Sequence, residues 1–120
     1  MKKIFFIFLG CMIILIIMVI GLKYQRNLGL NNFNLFNGSN INGIASYVGN
    51  KNHGTSFQLM GSDNIYVFYP YIDENLNSNH TFNNFAKPGD KIIKMAYNDT
   101  LLLIKNNVIY KYTFMKLKNN

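Results

Sequence analysis

Cysteine is nearly absent from this chain. Cys11, the only one, lies inside an apolar block, so neither a disulfide framework nor a thiolate metal site can form. Acidic residues are scarce as well: five Asp and Glu stand against twelve Lys and Arg in 120 residues, a formal charge of +7. That excess shrinks on partition, because Lys2, Lys3, Lys23 and Arg26 flank the apolar block. The rest carries eight lysines against Asp63, Asp73, Glu74, Asp90 and Asp99. A net of +3 there is far from a nucleic-acid footprint. Glycines beyond the block are isolated, which excludes a Gly-rich phosphate loop. At this length the chain has room for one domain at most.

What is present in quantity is apolar. Residues 4–22, "IFFIFLGCMIILIIMVIGL", run for 19 residues without a charge. At about 1.5 Å per residue the run reaches roughly 28 Å, close to the hydrocarbon thickness of about 30 Å. It is apolar or small on every side and predicts a membrane-inserted helix, preceded by a basic flank at 1–3. Two other fates compete. A cleaved signal would use Lys2 and Lys3 as its basic start and cut near Gly21, but the run is longer than a usual signal core. A lipoprotein signal would use Cys11 after Gly10, yet the apolar run continues beyond Cys11 where a polar tether should begin. Lys2, Lys3 and the α-amino group precede the run, while Lys23 and Arg26 follow it. The positive-inside rule then leans toward a cytoplasmic N-terminus and an exported C-terminal domain.

Residues 23–39, "KYQRNLGLNNFNLFNGS", read as a juxtamembrane tether. Leu28, Leu30, Phe33, Leu35 and Phe36 make it too apolar for a free linker, so it should lie against the membrane interface or the domain, as a short helix or an added strand. From residue 40 onward the patterns are those of β-structure. "INGIASYVG", "TSFQLMG" and "IYVFYPYI" read as three antiparallel strands joined by polar turns, with Pro70 ending the last ladder. Phe82 and Phe85, three apart in the polar connection 71–90, fit one helical turn that could plug a barrel end. Lys87-Pro88-Gly89-Asp90 fits a type II turn, with Gly89 supplying the positive φ. "KIIKMAY", "TLLLIK" and "VIYKYTF" follow as a meander, the last two joined by Asn106-Asn107. The fold class expected is mainly β. A transmembrane helix leads into a small antiparallel barrel or sandwich of five to six strands, with the oligonucleotide/oligosaccharide-binding barrel as one option.

The segments "INGIASYVGNKNHGTSFQL", "YVFYP" and "FAKPGDKIIKMAYNDTLLLIKNNVIYKYTF" resemble a group of short bacterial single-span membrane proteins with a C-terminal Gly-Asp-(Ser)-Ile-x-Lys β-domain. The matching positions here are Gly89, Asp90, Lys91, Ile92 and Lys94, then Asp99, Thr100 and Leu101. Lys91 stands where Ser is usual, so a nucleophilic role for that Ser could not carry over. The resemblance implies a shared fold and membrane attachment, and it brings no activity with it.

Candidate sites are few. Asp90, Lys91 and Lys94 could form a small polar patch, though Asp90 after Gly89 is foremost a turn-fixing carboxylate. Tyr66, Phe68, Tyr69 and Tyr71 could form an aromatic face for stacking on a ligand, against the simpler reading that they build the core. A metal site from His53, His80 and Asp73 or Glu74 lacks any known ligand spacing. A nucleophilic site from Ser46, Ser56, Ser62 or Ser78 with a His is equally unsupported. No catalytic residue, metal or cofactor is expected. The expected role is a non-catalytic binding or interaction module of the cell envelope, with the membrane, an envelope protein or a glycan as partner. A cytoplasm-facing binder of nucleic acid or of a lipid surface is the alternative, and a small hydrolase ranks below it.

Overall fold

The computed structural model describes residues 1–118. A single helix, α1, runs from Lys2 to Gly38. It is followed by β1 (Ile41–Lys51), β2 (Gly54–Leu59), β3 (Ile65–Phe68), two single-turn helices α2 (Glu74–Asn77) and α3 (Phe82–Phe85), then β4 (Lys91–Lys94), β5 (Thr100–Lys105) and β6 (Val108–Thr113). The six strands form one sheet in the order β3-β2-β1-β4-β5-β6, and every neighbouring pair is antiparallel. Two meanders, β1–β3 and β4–β6, are therefore joined through β1.

Strand β1 can serve both because it changes partner partway. Ile41 to Ile44 pair with β4, whereas Ala45 to Lys51 pair with β2, and the register slips between Ala45 and Tyr47. Such a bulge bends the strand and increases its twist, which curls the sheet. The outer strands then approach each other at Pro70 and Phe114. Tyr71 N–H donates to Thr113 O at 2.9 Å, and Met115 N–H donates to Tyr69 O at 2.9 Å. Among the described residues one bridge joins these edges, so the sheet is curled but not closed. Pro70 has no N–H to extend the ladder.

The turns follow local chemistry. Asn52 and His53 at the β1–β2 tip, and Asn106 and Asn107 at the β5–β6 tip, all have positive φ, as two-residue hairpins require. Gly89 adopts φ 98° in the turn before β4, closed by Asp90 N–H to Lys87 O at 3.1 Å. Strand β4 is shorter than its apolar pattern suggests. It stops at Lys94, because Tyr97 N–H turns away to donate to Asn37 O at the end of α1, at 2.7 Å.

The expected tether is part of α1. No proline interrupts residues 2–38, and the helix passes through both the apolar run and residues 23–38 without a break. At about 1.5 Å per residue its 37 residues span roughly 55 Å. Its first half is exposed along its whole apolar length, while Phe33 and Phe36 near its end are buried. Phe36 is wholly enclosed by aromatic neighbours. Its ring stacks on Phe68 with centroids 4.7 Å apart and meets Phe57 and Phe114 edge-on at 6.4 and 4.9 Å. Phe82 of α3 closes the other side, 5.0 Å from Phe68 and 5.1 Å from Tyr112. Without disulfides, a domain of this size relies on such packing to be stable.

Two measurements follow on the full chain in detergent micelles. Phe36→Ala should lower unfolding stability by about 3–5 kcal/mol in a urea titration, the usual cost of emptying a well-packed aromatic site. Tyr112 is fully buried and its hydroxyl donates to His80 O at 2.9 Å. Burial, with the neighbouring Tyr110 adding to it, pushes its pKa up to about 12. Between pH 10 and about 12 the unfolded phenol ionises while the folded one keeps its proton, so stability should fall across that window by about 2–3 kcal/mol. Tyr112→Phe should flatten this alkaline limb.

Candidate functional site

An α-helix leaves its last four carbonyls without partners, and α1 has no basic residue in its own last turn. Other elements supply what is missing. Ser39 Oγ donates to Leu35 O at 2.6 Å, and Ser39 N–H donates to Phe36 O at 3.4 Å. Asn37 O accepts from both Tyr97 N–H and Lys94 Nζ, the latter at 3.0 Å. Lys94 Nζ also donates to Ser39 O at 3.3 Å and to Met95 O at 3.0 Å, so all three ammonium protons are used. The same nitrogen lies 5.0 Å from the Phe36 ring centroid, in cation–π range. Lys94 is only 2% exposed, and burial lowers its pKa below the usual lysine value.

This arrangement separates the polar patch expected from the sequence. Lys94 points inward as a cap for α1, whereas Lys91, an odd number of residues away on the same strand, is exposed. Asp90 accepts from Lys87 N–H at 2.8 Å and pairs with Lys105 at 3.0 Å, so its carboxylate fixes the turn and one ion pair. The aromatic face is divided as well, between strand β3 and the segment after it. Tyr66 and Phe68 are core residues at 7% and 0% exposure. Tyr69 is half-buried and Tyr71 is 52% exposed.

The histidines and serines are dispersed too. His53 sits at the β1–β2 tip, while His80 stacks on Phe85 with ring centroids 4.0 Å apart. Among the described residues no three His, Cys, Asp or Glu side chains are placed to share a metal ion. Ser46 donates to Gln58 O, Ser62 accepts from Asn64 N–H, and Ser56 is buried with no partner for its hydroxyl among the described residues.

A cleft of about 360 Å³ opens elsewhere, between α1 and the β1–β2 tip. The helix contributes Gly21, Tyr24, Gln25, Leu28 and Gly29; the sheet contributes Asn52, His53 and Tyr69. Tyr69 Oη donates to Asn52 O at 3.3 Å and steadies the hairpin tip. Gly21, Gln25, Leu28 and Gly29 recur at i, i+4, i+7 and i+8, and Asn32, Phe33 and Phe36 continue the same stripe into the core. A side chain at Gly21 would meet nothing within 4 Å, and one at Gly29 only Leu117 at 3.7 Å, so the two glycines leave the cleft open. The stripe was the available signal for this site, hidden inside what reads as a tether.

Comparison with family models, curated proteins and solved structures returns no match.

Lys94→Met keeps the length of the side chain but leaves carbonyls at the end of α1 without their donor. It should lower stability by about 1–3 kcal/mol in urea unfolding, whereas exposed Lys91→Met should stay within about 0.5 kcal/mol.

Proposed function

We propose that the protein is an envelope-attached, non-catalytic binding module, held in the membrane by residues 4–22 with its β-domain exported. The observation that carries this reading is the continuity of α1. One helix joins a fully exposed apolar half to a half whose Phe33 and Phe36 belong to the core of the β-domain. A domain built onto the end of its own anchor is presented at a set height above the bilayer rather than on a loose leash. Anchoring of this kind raises the local concentration of the domain toward partners in the same membrane. The flanking charges, Lys2 and Lys3 before the apolar run against Lys23 and Arg26 after it, support an exported domain only by the extra α-amino group. Helical structure through Gly21 supports a retained anchor, because a cleavage site there would lie inside an ordered helix.

A C-terminal fusion to a reporter active only outside the cytoplasm, followed by cell fractionation, tests the reading. An active reporter that stays with the membrane is the expected result. An active but soluble reporter would mean cleavage near Gly21. An inactive reporter on a stable chain would place the domain in the cytoplasm and favour a binder acting there.

A further inference from the structure

We propose that the cleft between α1 and the β1–β2 tip is a binding site for the headgroup of an anionic phospholipid from the surrounding bilayer. The inference rests on the membrane-anchored reading above and adds a ligand to it. Position is the first argument. The apolar run ends at Leu22, and the cleft begins at Gly21 and reaches Gly29. Those last seven residues rise about 10 Å, against roughly 5–8 Å of headgroup region on each side of a hydrocarbon core of about 30 Å. The cleft therefore starts at the hydrocarbon boundary and crosses the headgroup layer, continuous with the apolar surface of the helix.

Chemistry is the second argument. Gln25, Asn52 and His53 offer side-chain nitrogen donors that no hydrogen bond among the described residues occupies. Leu28 and the rings of Tyr24 and Tyr69 supply an apolar wall of the kind that suits a glycerol backbone. Tyrosines at this depth are typical of membrane interfaces. Charge points the same way. Among the described residues no carboxylate lines the cleft; Lys23 falls on the far side of α1 by helical spacing, while Arg26, next to Gln25, and Lys51, next to Asn52, are both exposed. An anionic headgroup would be drawn to this edge and a basic ligand would not. The size, about 360 Å³, falls within the range of small-molecule sites, roughly 300–1,000 Å³.

Retention of phosphatidylglycerol by the full chain in detergent micelles, counted by native mass spectrometry, tests the proposal. Gly21→Leu adds bulk to the cleft wall at a position where a Cβ meets nothing within 4 Å, and Gln25→Glu sets a negative charge against the phosphate at constant size. Each should reduce retention by about tenfold relative to the natural chain. Phosphatidylcholine should be retained less than phosphatidylglycerol, and soluble glycerol phosphate should not displace the bound lipid. Equal retention by the natural chain and both variants would overturn the proposal. So would equal retention of the two lipids, or displacement by glycerol phosphate. Extraction of cell membranes with alkaline carbonate reads anchoring separately. A chain that resists extraction yet retains no lipid loses the cleft site alone, whereas a chain that is extracted loses the anchored reading itself.

Discussion

The end of α1 is where the structure is held together. Phe36 fills the centre of an aromatic core, and the carbonyl of the next residue, Asn37, accepts from the ammonium of Lys94. Neither contact stands alone. Lys94 belongs to β4, whose pairing with the first four residues of β1 is what unites the two meanders. Its ammonium can remain buried because three carbonyls and the face of an aromatic ring surround it. The helix, in turn, has no cation of its own for its negative end. Helix termination, sheet assembly and core closure thus share the same few atoms.

A mechanical consequence follows from that shared junction. A helix seated in the core over its last turns, and unbroken for the residues before them, fixes the orientation of the sheet relative to the apolar run. Strand tips and loops are then distributed along the helix axis by the fold. The β1–β2 tip falls beside Gly21 to Gly29, and Leu117 near the end of the described chain touches Gly29. What a membrane would meet is determined by this geometry rather than by the composition of the domain as a whole.

Aromatic and charged residues that look available in the sequence are largely engaged by the fold. With so few residues and no cross-links, the interior draws on Phe33, Phe36, Phe57, Tyr66, Phe68, Phe82, Tyr112 and Phe114. Asp90 is occupied twice, by the Lys87 amide and by Lys105. Of the groups left over, Tyr24, Gln25, Asn52 and His53 lie at the helix side of the β1–β2 tip, whereas Tyr47, Tyr71 and Tyr97 are exposed elsewhere.

Much of the β-architecture was legible because it is local. The β5–β6 hairpin is specified by Asn106-Asn107 between two alternating runs, the turn before β4 by Gly89 and Asp90, and the buried turn α3 by the spacing of Phe82 and Phe85. The apolar run at 4–22 is equally a local property. The placing of Lys91 and Lys94 on opposite faces also follows from strand alternation. By itself, then, the sequence determined an apolar helix followed by a small antiparallel β-domain of five to six strands. The tertiary structure decided that residues 23–38 continue the helix, that Lys94 is buried, that β4 ends early and that a cleft opens beside Gly21. The physical reason is separation along the chain: Lys94 and Tyr97 meet Asn37 across some sixty residues. Periodicity reports which side of an element is apolar, but not which distant carbonyl or ring will face it.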